Sequence, residues 1–308
     1  MRRDVTFVSH GVTCAAWHVR AAHDAAAGPG GRPCVVMAHG FGGTRDSGLL
    51  NYAEAFAEAG IDVFAFDYRG FGDSGGTPRQ DVSVRRQRQD YHAALAAARR
   101  LPGVDPDRIA LWGVSYAGGH ALVVAARDRN VAAVVSLTPV TDGLASLAHV
   151  LRHAGIGGLS HLAGHGLRDA ARALVGRAPH RVPVVGEPGT LAMIGVPDAL
   201  GICASFAGPT FRNEVCARAA LKVGANRPVT HVDRLNCPVL VQIGTDDRIA
   251  PPDAARRFAR LAGPPAELRE YPVDHLDVYA GPWQRRVLAD QLGFLRNAFL
   301  IQGTGWTG

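Results

Sequence analysis

Residues 113–119 read Gly-Val-Ser-Tyr-Ala-Gly-Gly and stand between an apolar run at 108–112 and an Ala/Val-rich stretch at 120–127. A chain that pivots from strand to helix in so few residues forces Ser115 into a strained backbone and exposes its Oγ at the sheet edge. Small residues at 113, 117, 118 and 119 permit that close approach. Taken alone, such a turn could equally hold a serine that only caps the helix. A serine hydroxyl is a poor nucleophile until a base takes its proton, and the base must itself be oriented by a third group. Two later segments supply such groups. Ile243-Gly-Thr-Asp-Asp247-Arg-Ile-Ala-Pro251 follows an apolar strand, and Tyr271-Pro-Val-Asp-His275-Leu-Asp277 follows the last one. All three loops leave the carboxyl ends of their strands, the edge on which open α/β sheets build sites.

The elements around these loops follow from hydrophobic patterning. Segments 4–9 and 13–20 read as an opening hairpin turned at His10-Gly11, and 21–32 as a loop. Continuous apolar runs at 34–38 and 61–66 predict strands buried on both faces. Helices are predicted over about 47–59 and 84–100, and a strand at 131–137 completes a βαβ unit with the Ser115 turn. After a long break, a strand at 239–244, a helix near 253–262, a strand at 268–271 and a final helix over 284–301 resume the alternation. Strands alternating with helices predict an α/β fold with a doubly wound, mostly parallel central sheet. The break carries many Gly and Pro residues and several helical fragments, which predicts a helical lid inserted after about the sixth strand. The expected division is a core of 1–138 and 231–302, a lid at 139–230 and a frayed tail at 303–308.

Composition narrows the class. With 308 residues, 47% hydrophobic and 19% charged, the chain can bury a sizeable core and is neither disordered nor fibrous. The first residues lead into alternation with no apolar h-region, so no signal peptide is expected, and no apolar stretch is long enough for a membrane span. Five scattered cysteines without a CxxC pair read as inert thiols in a reducing cytoplasm. The formal charge of +6 comes from dispersed arginines, Lys222 is the sole lysine, and no basic run is interleaved with aromatics, so nucleic-acid binding is not expected.

Five segments in order carry a resemblance: His39-Gly-Phe-Gly-Gly43, Asp67-Tyr-Arg-Gly-Phe-Gly-Asp-Ser74, Gly113-Val-Ser-Tyr-Ala117, Gly244-Thr-Asp-Asp247 and Asp274-His275. Over about residues 30 to 300 the chain resembles the serine-hydrolase branch of the α/β-hydrolase superfamily, with the lid least matched. The resemblance implies Ser115 as nucleophile, His275 as base and Asp247 as the orienting acid. It further implies an oxyanion hole made by the Tyr116 and Phe41 amides. Ala117 departs from the glycine usual there, and a single methyl should fit. Asp247 is favoured as acid by its Gly-x-x-Asp spacing. Asp142 after the preceding strand and the neighbouring Asp246 are alternatives, while Asp274 and Asp277 flank His275 too closely. The expected activity is cofactor-free hydrolysis of a carboxylic ester or related acyl bond of a small-molecule substrate. Two alternatives are acyl transfer or thioester cleavage on a polyketide-like or carrier-bound acyl group, and a ligand-binding or lyase member that does not hydrolyse.

Other patterns read less sharply. His39, before Gly40, suggests a hydrogen bond within its loop. Gly70-Phe-Gly-Asp-Ser-Gly75 matches G-x-G-x-x-G, but a further loop follows where a dinucleotide fingerprint should open a helix, so no NAD is expected. The pairs His149/His153 and His161/His165 have helical spacing but no third ligand and no glutamate nearby, so no metal is expected. Nine basic residues against five acids between 141 and 230 could attract an anionic acyl carrier, or could simply solvate helices. Met193, Ile194, Phe206 and Phe211 could wall an acyl pocket or pack the lid on the sheet.

Overall fold

Residues 1–302 are described by a computed structural model, so the tail predicted at 303–308 lies outside the described residues. Eight strands form one sheet: β1 (Arg2–Ser9), β2 (Val12–Val19), β3 (Arg32–Ala38), β4 (Asp62–Phe66), β5 (Val104–Val114), β6 (Ala133–Leu137), β7 (Val239–Gly244) and β8 (Ala266–Tyr271). Their spatial order is β1-β2-β4-β3-β5-β6-β7-β8. The β1–β2 and β2–β4 pairs are antiparallel. Every other pair is parallel. The fold is therefore the expected α/β arrangement.

Period-two alternation splits each central strand between two apolar layers. Cys34, Val36 and Ala38 of β3 face the side covered by α2 (Val84–Ala98) and α3 (Tyr116–Ala125). Val35 and Met37 face the side covered by α1 (Leu50–Glu58) and α7 (Gly281–Gln302). All seven β3 residues are buried, which is why this run carries no polar alternation.

Between β6 and β7 the chain forms α4 (Gly143–Leu174), α5 (Ala199–Phe206) and two 3₁₀ segments at Ala217–Ala225 and Pro228–Arg234. Two-residue strands add small pairings, Arg181–Val182 with Val215–Cys216 and Val185–Gly186 with Ile194–Gly195. The long α4 is two helices joined across a kink at Gly155, whose φ of 67° and ψ of 178° only glycine adopts readily. Asp142 caps α4, its side chain accepting from Leu144 N–H at 3.0 Å. α6 (Pro252–Ala262) completes the sheet cover.

Some boundaries differ from the sequence expectation. β5 begins at Val104, well before 108, because β3 pairs with it at Arg32↔Val104 and recovers register after a bulge. α3 starts at Tyr116, leaving no spacer after Ser115, so the Gly-Gly at 118–119 lies inside the helix. No helix among the described residues is long and apolar enough to cross a membrane. All five cysteines are buried and unpaired.

A chain of buried polar side chains seats α7 on the sheet. The Trp112 indole donates to Gln291 Oε1 at 3.0 Å, Gln291 Nε2 donates to Gln242 Oε1 at 2.7 Å, and Gln242 Nε2 donates to the Tyr271 hydroxyl at 2.7 Å. Breaking one link strands the others in a place water does not reach. Gln291→Leu is expected to lower unfolding free energy by about 1–3 kcal/mol, read by urea denaturation.

Candidate active site

Ser115 occupies the turn between β5 and α3 with φ 58° and ψ −119°. That left-handed backbone is costly for a residue with a Cβ and persists only where surrounding bonds fix it. Ser115 N–H donates to Leu137 O at 2.8 Å, and Ser115 O accepts from Val140 N–H at 3.1 Å, so the end of β6 grips the turn. A Cβ at Gly113 would stand 2.2 Å from Ala117 O, and one at Gly119 would stand 2.3 Å from Val140 O. Ala117 is fully buried, so the methyl that departs from the superfamily pattern is accommodated. Ser115 is 6% exposed, and its Oγ hydrogen-bonds to no other described residue.

His275 lies in the loop after β8. Its Nδ1 is 2.7 Å from Asp247 Oδ2, and both side chains are buried. A carboxylate oxygen accepts, so Nδ1–H donates and Nε2 is left as the basic nitrogen. The other Asp247 oxygen accepts from Ile249 N–H at 2.8 Å and Ala250 N–H at 2.7 Å, which fixes the carboxylate. The remaining carboxylates are engaged elsewhere. Asp142 pairs bidentately with Arg227 at 2.9 and 3.1 Å. Asp246 is exposed beside Thr245. Asp274 pairs with Arg248 and accepts the His275 backbone N–H, and Asp277 accepts from Asp274 N–H.

The loop after β3 closes over Ser115. A Cβ at Gly40 would sit 3.2 Å from Ser115 Cβ, a tight contact that the glycine avoids. Neither the Phe41 nor the Tyr116 amide N–H donates to another described residue, and the two rings meet edge to face at 5.4 Å. His39 Nδ1 donates to Gly40 O at 3.0 Å, the loop bond its position suggests. Burial pushes the His39 imidazole down to about 4, which keeps the ring neutral. The Gly70–Gly75 loop folds back on itself through Gly70 N–H to Gly75 O. Asp67, whose carboxylate lies where a Cβ of Gly72 would be, accepts from Arg45 N–H at 2.7 Å and so braces the 39–47 loop.

Two cavities meet at Ser115. One is walled by His39, Phe41, Ser47, Val184, Cys203, Phe206, Phe211, His275 and Tyr279. The second lies beneath α4 and is walled by Tyr116, Leu147, Val150, Leu159, Leu162, Met193 and Val223. Ile194, Ile249 and Phe41 separate them. No arginine or lysine lines either cavity. Three of the nine basic residues at 141–230 form ion pairs away from the cavities, Arg218 with Asp81 and Asp169, Arg181 with Glu214, and Arg227 with Asp142. Burial pushes the Cys203 thiol up to about 11, so this wall stays uncharged. His165 contacts His180 at 2.6 Å through Nδ1 and His161 at 3.3 Å through Nε2, so the three rings form a row and do not converge. Among the described residues no group of three His, Cys, Asp or Glu side chains could hold a metal.

Residues 33–162 match the model of the alpha/beta hydrolase fold family. The chain is 36% identical over 295 residues to a quorum-quenching protein, AidA, of Acinetobacter baumannii, covering 95% of this chain and 94% of that one. The chain belongs to the α/β-hydrolase superfamily. A polyketide transferase, af380, of Aspergillus fumigatus is 30% identical over 271 residues, covering 86% and 89%. The crystal structure of the alpha/beta hydrolase GrgF from Penicillium superposes with a TM-score of 0.80 at 26% identity, covering 97% of this chain and 99% of that one.

Within this hydrolase fold, Met193, Ile194, Phe206 and Phe211 do wall the cavities, and beyond them and the motif residues the walls come from residues that no motif marks. Tyr279 stands on a 3₁₀ turn (Asp277–Tyr279) just past His275, and its only sequence signal is that closeness. The α4 residues under the second cavity follow a helical spacing that any packed helix would show. Gly113→Ala is expected to destabilise by about 3 kcal/mol or more, because the new methyl meets rigid backbone. A thermal melt with loss of the single native transition below the wild-type midpoint checks it.

Proposed function

We propose that this α/β-hydrolase cleaves carboxylic esters or related acyl bonds through an acyl-enzyme on Ser115. The reading rests on the His275–Asp247 hydrogen bond together with His275 and Ser115 walling one cavity. His275 Nε2 takes the Ser115 proton as Oγ attacks the carbonyl, and Asp247 holds the Nδ1–H tautomer and offsets the imidazolium charge. The unengaged Phe41 and Tyr116 amides bind the oxyanion. His275 then protonates the leaving group, and water releases the acyl group. No step calls for a metal or organic cofactor.

The chamber walled by His275 receives the leaving group, because the acid must reach the departing atom. The acyl chain then takes the apolar chamber beneath α4. The uncharged walls favour a neutral substrate over an anionic one. On this reading 1–138 and 231–302 form the catalytic core and 139–230 the lid, whose α4 roofs the acyl site. Unpaired buried thiols suit a reducing cytoplasm. Transfer of the acyl group to an alcohol is the second reading, supported by the relative named a polyketide transferase. Product partition with and without added alcohols separates the two.

Ser115→Ala is expected to lower kcat on a medium-chain p-nitrophenyl ester by about 10⁵–10⁶-fold and to abolish fluorophosphonate labelling. Asp247→Asn should lower it by about 10⁴-fold, since an amide donating to Nδ1 puts the proton on Nε2. Undiminished turnover in Ser115→Ala would refute the assignment. Across an acyl series, kcat/KM should rise about fourfold per methylene until the chamber under α4 fills. Leu162→Trp should move the best chain length downward, measured on the same series.

A further inference from the structure

The Tyr279 hydroxyl is a donor on the cavity wall that the reaction above does not use. Tyr279 is 9% exposed and lines the leaving-group chamber with Ser115 and His275. Its hydroxyl hydrogen-bonds to no other described residue and is free to meet a ligand, the polar tip that a mostly apolar phenol ordinarily presents to a partner. The ring is held tightly. It stacks on Phe206 with centroids 4.3 Å apart and planes at 9°, and a Cβ at Gly48 would meet its Cδ1 at 2.6 Å. The backbone below is anchored by the Tyr52 hydroxyl, which donates to Val278 O at 2.5 Å. One point locates the hydroxyl: the position a Gly40 Cβ would take is 3.2 Å from Ser115 Cβ and 3.6 Å from Tyr279 Oη.

We infer that Tyr279 is a specificity-determining donor for the leaving group, selecting esters whose alcohol portion carries a hydrogen-bond acceptor a few atoms beyond the scissile oxygen. The inference rests on the Ser115 reading and on the leaving group taking this chamber. Outside the Ser115–His275 pair, the chamber offers no other side-chain N–H or O–H donor that is free, the unpartnered His39 Nε2 being an acceptor. Ser47 Oγ bonds to Thr44 and accepts from Gly208 N–H, and His39 Nδ1 is held by Gly40 O. Burial raises the phenol above its ordinary value, so it remains a protonated donor across the working pH range. An alkyl leaving group would bury that hydroxyl unpaired, whereas an ether or carbonyl oxygen would satisfy it, and a site built around a donor rejects the analogue lacking the acceptor. Under the transfer reading the same hydroxyl would orient the acceptor alcohol.

The test compares octanoate esters matched in heavy-atom count, butyl with 2-methoxyethyl and pentyl with 3-methoxypropyl, in wild type and Tyr279→Phe. That change keeps the Phe206 stack and removes one oxygen. In at least one pair the ratio of kcat/KM, ether over alkyl, is expected to fall by about 10-fold in Tyr279→Phe, through slower ether esters, faster alkyl esters or both. The melting temperature should hold, because the change breaks no hydrogen bond within the described fold. Binding of the same intact esters to Ser115→Ala and to Ser115→Ala/Tyr279→Phe reads the preference without turnover. Unchanged ratios in both assays, or a lowered melting temperature with unchanged ratios, would overturn the inference. Turnover surviving in Ser115→Ala would instead defeat the nucleophile assignment.

Discussion

The left-handed backbone at Ser115 is the constraint around which the rest of the site is arranged. A residue with a Cβ does not hold a φ of 58° unaided, at a cost of about 1–3 kcal/mol. Here the cost is met by the end of β6, which receives the Ser115 N–H at Leu137 O and returns the Val140 N–H to Ser115 O. Those bonds require β5 and β6 to be parallel neighbours in register, Val114 beside Leu137. They also require no side chain at Gly113 and Gly119. Sheet topology, glycine placement and the strained serine are thus one structural fact.

Parallel register carries that fact across the edge. Ala38 stands beside Gly113, Leu137 beside Gln242, and Gly244 beside Tyr271, so the loops bearing Phe41, Ser115, Asp247 and His275 all begin at one level. Their separation in sequence becomes irrelevant once the strands align. The Asp247 carboxylate then needs only its own loop amides to hold it against the imidazole. Asp142 begins at the same edge but is consumed by the α4 cap and Arg227. Competition for hydrogen bonds, and not distance along the chain, separates these two acids.

The segment between β6 and β7 turns an exposed edge into enclosed space. Apolar side chains of α4 roof one chamber, and Phe206 of α5 stacks on Tyr279 to shape the other. None of its arginines or its lysine lines either chamber. Apolar walls with a few polar atoms orient a ligand by shape first and by single hydrogen bonds second. A chamber with a fixed phenol therefore differs in kind from one lined only by aliphatic chains.

The amino-acid sequence alone determined the order of strands and helices, the glycine-framed serine, and the two loops that bring an acid and an imidazole to the same edge. Each of these is local: hydrophobic period, turn chemistry and motif spacing act within a dozen residues. Tertiary structure decided which aspartate meets His275, that the basic residues of the inserted segment stay off the cavity walls, and that Tyr279 carries an unengaged hydroxyl. It also decided the extent of α4, whose kink at Gly155 no period reveals. These outcomes depend on which surfaces from distant segments come into contact. No local pattern encodes a cavity, because its walls are complementary only after the chain has folded.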